Sequence, residues 1–174
     1  MGDGRGDLQA VWHVFAGEFF DGKTILDVGA AIGRSRERLS RGGQNRVTLQ
    51  DIDRSLMPYV DIVQDVRDIE GKWDVVTTFD VIEHAADPDE FLNQCARLAR
   101  ESVMFTTPSY HLYTQPWHFK PAEIIVLARR NFPGWERLFF ARYKEGDRDE
   151  VLPVSAETFA EDLTIYAHGM CVQR

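Results

Sequence analysis

The chain has 174 residues, with 20 basic and 28 acidic side chains and a formal net charge of −8. This is the length of one domain with its own buried core, and it leaves no room for a second domain that would hold a substrate. The negative charge repels phosphate backbones and argues against a general nucleic-acid-binding protein, and no apolar run approaches the roughly 20 residues of a membrane span.

The first residues and the cysteines indicate a cytoplasmic protein. The segment 1–7 is polar and rich in glycine, and since no apolar stretch follows a basic one we do not expect a secretory signal peptide. Cys95 and Cys171 lie far apart without the spacing of metal ligands, which predicts reduced thiols. Between Leu8 and Phe20, apolar residues recur at helical spacing and predict a leading helix that packs on a sheet or covers a ligand site.

The stretch 24–35 predicts a strand, a tight turn and a helix. The β-rich run Thr24 to Val28 leads into Gly29 and Gly33 and then into a polar, Arg-rich stretch. Ligands of open α/β sheets bind at such turns. Gly29 lets the backbone turn sharply and pass close to a bound molecule, and Gly33 lets the helix begin against the strand.

The glycine spacing of this turn separates two classes of ligand. A dinucleotide site has the pattern G-x-G-x-x-G, whereas here Ala31 stands where the second glycine would be and Asp27 precedes the first. A carboxylate at that place repels a pyrophosphate but can accept hydrogen bonds from an ammonium group. The alternative is an ordinary strand-to-helix turn without a ligand. The pattern D-x-G-x-x-x-G resembles motif I of the class I S-adenosylmethionine-dependent methyltransferases, with Ala31 in place of their middle glycine.

The next two strands end at acidic residues. A strand over 46–50 leads to Asp51, Ile52 and Asp53, and an acidic residue about twenty positions beyond the glycine turn is placed to hold both ribose hydroxyls. Asp51 is the first choice for this role and Asp53 the second. A third strand over 59–64 follows a connection with room for one helical turn at most. The resemblance implies that Asp65 accepts from the adenine amino group and that the amide of Val66 reaches a ring nitrogen; an ordinary surface aspartate is the alternative.

A buried strand over 73–79 is followed by a polar segment. This segment holds Asp80, Glu83 and His84, and it resembles the family's Asp-Val-hydrophobic-Glu-His signature. Asp87 and Pro88 then predict a capped helix that runs to about residue 100. The predicted cofactor-binding residues are Asp27, Gly29, Ala30, Gly33, Asp51, Ile52, Asp65, Val66 and Phe79.

The remaining third of the chain predicts a strand over 102–107, a helix over 120–130, a strand over 135–143, a charged loop over 144–150 and a strand over 163–172. The last two strands are expected to pair antiparallel at the sheet edge. The fold class is therefore α/β, a Rossmann-like, doubly wound, seven-stranded and mostly parallel sheet with an antiparallel last strand and helices on both faces. We expect one domain, with a leading segment over 1–20, a cofactor-binding core over 21–130 and edge strands over 131–174.

Acidic and glycine positions thus fall at the carboxyl ends of successive strands, which in a doubly wound sheet line one crevice. The resemblance covers about residues 20 to 130 and implies methyl transfer from S-adenosylmethionine to a small-molecule acceptor, with a hydroxyl favoured. His84 is the candidate base, because a histidine can take up a proton near neutral pH. A structural role for His84, as a helix cap or a hydrogen-bonding partner, is the alternative.

A divalent metal is a second expectation at the same place. The D-x-x-E-H pattern of Asp80, Glu83 and His84, together with His118, is similar to the ligand set of metal-dependent O-methyltransferases that act on ubiquinone precursors or on small-RNA 3′ ends. Such a set would suit Mg²⁺ or Mn²⁺. His84, Glu83 and His118 are therefore the candidate catalytic residues, and His111 or His118 could instead contact the substrate from the aromatic loop over 111–119.

Two other functions remain open at this point. A metal-assisted RNA 2′-O-methyltransferase has the same motif, but the acidic net charge argues against it. A cofactor-binding partner subunit without catalysis is the other, and the polar segment with Glu83 and His84 argues against that one. A nicotinamide dehydrogenase is disfavoured by Asp27 and by the glycine spacing.

Overall fold

The computed structural model describes residues 9–108, 116–145, 148–161 and 167–174. Within these ranges, helices pack on both faces of a sheet of eight strands. The strands are β1 (Thr24–Val28), β2 (Arg46–Asp51), β3 (Ile62–Val63), β4 (Trp73–Phe79), β5 (Ala99–Pro108), β6 (Glu136–Glu145), β7 (Arg148–Val154) and β8 (Ala167–Gln173). The α-helices are α1 (Ala10–Phe19), α2 (Ser35–Ser40), α3 (Pro88–Leu98), α4 (Pro121–Asn131) and α5 (Ala156–Glu161), and short 3₁₀ turns include Arg54–Leu56, Val66–Asp68 and Ile82–His84.

The strands follow the order β3-β2-β1-β4-β5-β8-β6-β7 across the sheet. The first five strands along the chain are parallel, β8 is antiparallel to both β5 and β6, and β7 is antiparallel to β6. The order reverses between β1 and β4. In an open α/β sheet, the carboxyl ends of the strands at such a reversal border the ligand crevice.

Two apolar cores hold the helices on the two faces of the sheet. On one face, α1 and α2 bury Trp12 and Leu39 against residues such as Ile25 and Phe140. On the other face, α3, α4 and α5 pack on β4, β5 and β8 through a larger cluster. The doubly wound α/β architecture expected from the sequence is therefore confirmed.

The leading helix α1 is fixed on the sheet by close contacts. The ring of Trp12 lies on Gly169 of β8, where an added Cβ would stand 2.5 Å from it. The side-chain amide of Asn45 donates to the carbonyl oxygens of Gly17 and Leu39, at 3.0 and 2.9 Å, and so joins α1 to the end of α2. Packing on the sheet, one of the two roles expected for this helix, is thus observed.

Three details differ from the expected fold. The sheet has eight strands among the described residues, because β6 extends into the predicted loop over 144–150 as far as Glu145 and β7 begins within it at Arg148 and pairs with β6. The third strand is reduced to Ile62–Val63. The strand near the C-terminal end of the chain does pair antiparallel with β6, but it lies between β5 and β6, and β7 takes the edge of the sheet.

The helix after β4 forms as the capping residues predict. It begins at Pro88, and Oδ1 of Asp87 accepts from the amides of Asp89 and Glu90 at 3.0 and 3.1 Å. These two bonds satisfy backbone donors that the first helical turn leaves without partners. The capped start fixes the length of the polar segment between β4 and α3.

Candidate functional site

Two adjoining cavities open at the carboxyl ends of the strands, around the reversal between β1 and β4. The larger has a volume of about 500 Å³ and extends from the end of β2 to the segment after β4. The smaller has about 290 Å³ and lies between α1, α2 and the end of β1. Val28 and Gly29 line both cavities, so one elongated ligand could occupy them together.

The glycine turn after β1 separates the two cavities and contacts the segment after β4. Gly29 has a φ of 75°, and a Cβ on it would stand 2.5 Å from the side chain of Val81. Its amide and that of Ala30 both donate to the carbonyl of Gln50, at 3.0 and 2.9 Å. Ala31 also has a positive φ, 47°, which a glycine would adopt without strain. The turn is therefore held against the end of β2 and passes close to both cavities.

Gly33 has a different role from Gly29. Its φ is 73°, and a Cβ on it would stand 2.5 Å from the carbonyl oxygen of Tyr59. It is the one predicted cofactor residue that lines neither cavity. Its lack of a side chain permits close packing of the turn on the connection between β2 and β3.

Asp51 stands at the rim of the larger cavity, fixed by two backbone amides. Its Oδ2 accepts from the amide of Ala31 at 2.9 Å, and its Oδ1 accepts from the amide of Asp53 at 3.0 Å. Each carboxylate oxygen keeps a further lone pair for a ligand hydroxyl. Asp53 instead caps the turn Arg54–Leu56 by accepting from the amide of Ser55, and it lines neither cavity. The geometry therefore favours Asp51 over Asp53.

The far end of the larger cavity is formed by Ile52, Asp65 and Val66, together with Arg67. The guanidinium of Arg67 donates to both oxygens of Asp65, at 3.0 and 2.7 Å. These hydrogen bonds hold the pKa of Asp65 below its usual value, so the carboxyl is charged at neutral pH. Arg67 is a lining residue that the sequence analysis missed.

The smaller cavity has a buried carboxylate at its base. Asp27 is 2% exposed, and its Oδ1 accepts from the hydroxyl of Thr77 at 2.7 Å. Its Oδ2 is buried and has no hydrogen-bond partner among the described residues. Nε2 of His13 in α1 lies 3.8 Å from that oxygen. Phe79 packs edge-on against the imidazole, with ring centroids 5.0 Å apart.

The segment after β4 places two carboxyl groups beside the larger cavity, with Asp80 partly exposed and Glu83 buried. Asp80 has a φ of 55°, and its Oδ1 accepts from the hydroxyl of Thr106 at 2.8 Å. Burial raises the pKa of Asp80. Glu83 is 1% exposed, and burial, with the neighbouring charge of Asp80 as a second cause, raises its pKa to about 8. Glu83 therefore carries a proton at neutral pH.

His84 is the accessible member of this segment. Its side chain is half exposed and lines the larger cavity together with Asp80, and its Nε2 lies 3.9 Å from Oε1 of Glu83. Trp117 lies against the same segment, with its amide donating to the carbonyl of Glu83 at 3.2 Å and its indole to that of Ala85 at 2.8 Å. The described end of the aromatic loop thus contacts the candidate catalytic residues, while His111 lies outside the described residues.

The expected metal centre is not assembled. Across the described ranges, no group of three or more His, Cys, Asp or Glu side chains could hold a metal ion. Asp80 has a left-handed backbone conformation, and its carboxylate accepts a hydrogen bond from Thr106. Glu83 is buried in the turn Ile82–His84. His118 is exposed on the segment after the aromatic loop. The proposed ligand set of Asp80, Glu83, His84 and His118 therefore does not fit Mg²⁺ or Mn²⁺ in this structure.

A family profile matches most of the chain. The profile, described as "Methyltransferase domain", matches residues 3–143. The chain belongs to this methyltransferase domain family. The family expected from the motifs is thus confirmed. The two cavities lie at the reversal of strand order, where ligands of open α/β sheets bind.

Curated relatives and solved structures agree with this family. The ubiquinone biosynthesis O-methyltransferase of Caulobacter vibrioides is 33% identical over 103 residues, which covers 49% of this chain and 40% of the relative. The counterpart from an Escherichia coli strain is 31% identical over 112 residues, with 53% and 45% covered. This chain thus spans less than half the length of those relatives.

Solved structures of similar fold include two methyltransferases. An S-adenosylmethionine-dependent methyltransferase of Thermotoga maritima superposes with a TM-score of 0.69 at 10% identity, over 94% of this chain and 88% of that chain. The magnesium protoporphyrin IX methyltransferase of Synechocystis PCC 6803, solved with bound S-adenosylmethionine, gives 0.65 at 17% identity, over 97% and 77%. At these identities the likeness shows the fold. None of the helices in the described ranges has the length and apolar character that crossing a membrane requires.

Proposed function

We propose that this chain transfers a methyl group from S-adenosylmethionine to a hydroxyl of a small molecule. The observation that carries the proposal is the pair of joined cavities with a carboxylate at the end of each of three neighbouring strands. Asp27 suits the α-ammonium group, Asp51 the two ribose hydroxyls and Asp65 the adenine amino group, with the amide of Val66 beside it. These three groups are spaced along a single elongated ligand.

The chemistry of the acceptor is assigned to the other end of the larger cavity. The sulfonium of the cofactor supplies an already activated methyl group, so the chain has to hold the acceptor oxygen in line and remove its proton. His84 lines the cavity, is half exposed, and can pass a proton to water. Glu83 holds its own proton at neutral pH and is the less suitable base. The name of the curated O-methyltransferase relatives supports a hydroxyl acceptor.

The cofactor half of the proposal is tested by ligand-dependent unfolding. S-adenosylhomocysteine at about one hundred times its Kd should stabilise the fold by about 2.7 kcal/mol, which is a rise of several degrees in Tm. NAD should leave Tm unchanged, since the turn after β1 has Asp27 and lacks the dinucleotide spacing. A shift with NAD and none with S-adenosylhomocysteine would refute the proposal.

The acceptor half is tested by turnover with small hydroxylated aromatic compounds. Release of S-adenosylhomocysteine should depend on the acceptor, and His84→Ala should lower kcat by a factor of about 10² or more. The Kd of S-adenosylhomocysteine should stay the same, because His84 is assigned to the acceptor. Unchanged kcat in H84A would remove His84 from the mechanism and leave the cofactor assignment intact.

A further inference from the structure

The lining of the smaller cavity carries both signs of charge. Asp27 and His13, which are 2% and 7% exposed, line it. Arg34 and Arg38 of the turn and helix after β1 line the same cavity. A carboxylate and two guanidinium groups in one cavity suit a ligand that has both an ammonium and a carboxylate, which is the form of an α-amino acid.

Three buried polar atoms of residues that line this cavity have no hydrogen-bond partner among the described residues. They are Oδ2 of Asp27, Nδ1 of His13 and Oγ of Ser35. A buried acceptor without a partner costs about 1–3 kcal/mol, so such atoms are expected where a ligand supplies the missing donors. An ammonium group has three N–H donors and can satisfy more than one acceptor at once.

The side chains of Asp27 and His13 do not satisfy each other. Nε2 of His13 lies 3.8 Å from Oδ2 of Asp27, which is longer than a hydrogen bond. The imidazole is held in this position by Phe79, which packs edge-on against it, and by α1, which Trp12 fixes on the sheet. The 3.8 Å separation of Nε2 and Oδ2 therefore follows from the docking of the helix on the sheet, and both side chains line the smaller cavity.

We propose that His13 determines specificity for the amino-acid end of the cofactor, by accepting a hydrogen bond from the α-ammonium group beside Asp27. The inference rests on the proposed function and adds to it a residue on α1 that no motif indicated. It also explains why the leading helix is needed at the site. The helix supplies one of the acceptors, and its docking on the sheet sets the distance to the other.

The charge state of His13 agrees with this role. Burial lowers the pKa of His13, against the opposing effect of Asp27, and Arg38 lowers it further, while a hydrogen bond with the backbone of Gln9 and the charge of Asp80 raise it. The imidazole is neutral at pH 7 and has a lone pair to offer. When it takes a proton at acid pH it becomes a cation 3.8 Å from Asp27 and competes with the ligand's ammonium group for the same oxygen. Binding of the amino-acid end should therefore weaken as the pH is lowered from 6.5 past the lowered pKa of His13.

The test compares two ligands that differ only in the amino-acid end. S-adenosylhomocysteine has it, and 5′-methylthioadenosine has the same nucleoside and thioether without it. His13→Leu removes the acceptor, so the Kd of S-adenosylhomocysteine should rise about tenfold, while that of 5′-methylthioadenosine should change less than about twofold. His13→Gln keeps an acceptor and should recover most of the affinity. Val14→Leu, at an exposed position of the same helix, is the control for α1 itself.

The pH profile gives an independent readout from the same titrations. In the wild-type chain, the affinity ratio of the two ligands should fall as the pH is lowered from 6.5 through the lowered pKa of His13, and in H13Q it should stay flat over the same range. Equal losses for both ligands in H13L, or no loss for either, would overturn the role of His13 while leaving the proposed function in place. Failure of the wild-type chain to bind either ligand would overturn both proposals.

Discussion

The two ends of the larger cavity shift the pKa of the same functional group in opposite directions. Asp65, at the end assigned to adenine, is bonded to the guanidinium of Arg67, and its pKa is lowered. At the end assigned to the acceptor, desolvation raises the pKa values of Asp80 and Glu83. The cationic partner keeps Asp65 charged, whereas burial beside the carboxyl of Asp80 keeps Glu83 protonated at neutral pH. The local surroundings, and not the residue type, decide what each group can do.

Substitution of Gly29, in the turn after β1, should have the largest effect on the free energy of unfolding. Gly29→Ala puts a Cβ in contact with Val81 at a left-handed φ, so we expect a loss of about 3 kcal/mol in the free energy of unfolding, measured with urea. Gly42→Ala is the matched control, since its φ is 66° and nothing lies within 4 Å of the added Cβ. It should cost about 1 kcal/mol. The double variant G29A/V81A should recover part of the loss, and equal costs for the two glycines would contradict the contact.

Substitution of Asp27, the buried carboxylate of the smaller cavity, should have the second-largest effect, and it should act on ligand affinity. Asp27→Asn keeps the size of the side chain and removes its charge, so the Kd of S-adenosylhomocysteine should rise about thirtyfold, because a hydrogen bond to a charged group contributes about 1.5–3 kcal/mol. The Tm without ligand should not fall, since Oδ2 has no partner to lose. Unchanged affinity, measured by calorimetry, would place the ammonium group elsewhere.

At the acceptor end, Glu83 should make stability depend on pH. Its pKa is about 8 in the folded chain against 4.5 for the unperturbed group, so the folded state binds the proton more tightly. The resulting stability is fully present below pH 4.5 and is lost as the pH rises through about 8. Glu83→Gln cannot ionise and should be more stable than the wild type at about pH 9, by about 1 kcal/mol or more, in urea titrations. Parallel profiles for the two proteins would show that Glu83 is charged in the fold.

Substitution of Asp65, at the end assigned to adenine, should change stability least. The pH dependence of its contribution should have the opposite sign to that of Glu83. The pKa of Asp65 is lowered, so its contribution is present above pH 3.8 and is lost as the pH falls through the lowered value. Its partner Arg67 is 64% exposed, and an exposed pair contributes little. Asp65→Asn should therefore change stability by less than about 0.5 kcal/mol at neutral pH. A change in stability as large as the one expected for Glu83→Gln would contradict the distinction between the two ends.

Features of the site that depend on short stretches of chain could be predicted from the sequence. The strand and turn around Asp27 and Gly29 and the cap at Asp87 are examples, since a few neighbouring residues determine them. His13 could not be predicted, because its place beside Asp27 depends on the docking of Trp12 against Gly169, far away in the sequence. A histidine on the buried face of a helix gives no signal by itself.

Two wrong expectations have physical causes of the same kind. The charged stretch that contains Asp149 predicts a loop, but Arg142 is 1% exposed and pairs with Asp149 across β6 and β7. The charges are thus part of a strand pair. The metal set is expected from the resemblance of the D-x-x-E-H pattern and His118 to the ligands of metal-dependent O-methyltransferases. The left-handed backbone at Asp80 and its bond to Thr106 of β5 decide where that carboxyl lies, and neither can be inferred from spacing.

The position of β8 in the sheet has a consequence for synthesis on the ribosome. The β6–β7 hairpin is connected to the parallel strands only through β8, among the described strands, although β8 comes after both in the chain. While the nascent chain still lacks residues 167–173, β5 and the hairpin each expose an open strand edge, with the apolar side chains of both cores beside them. Such edges pair readily with other chains. We therefore expect ribosomes stalled just before Ala167 to carry the most aggregation-prone intermediate, and binding of a holdase chaperone should peak at that length.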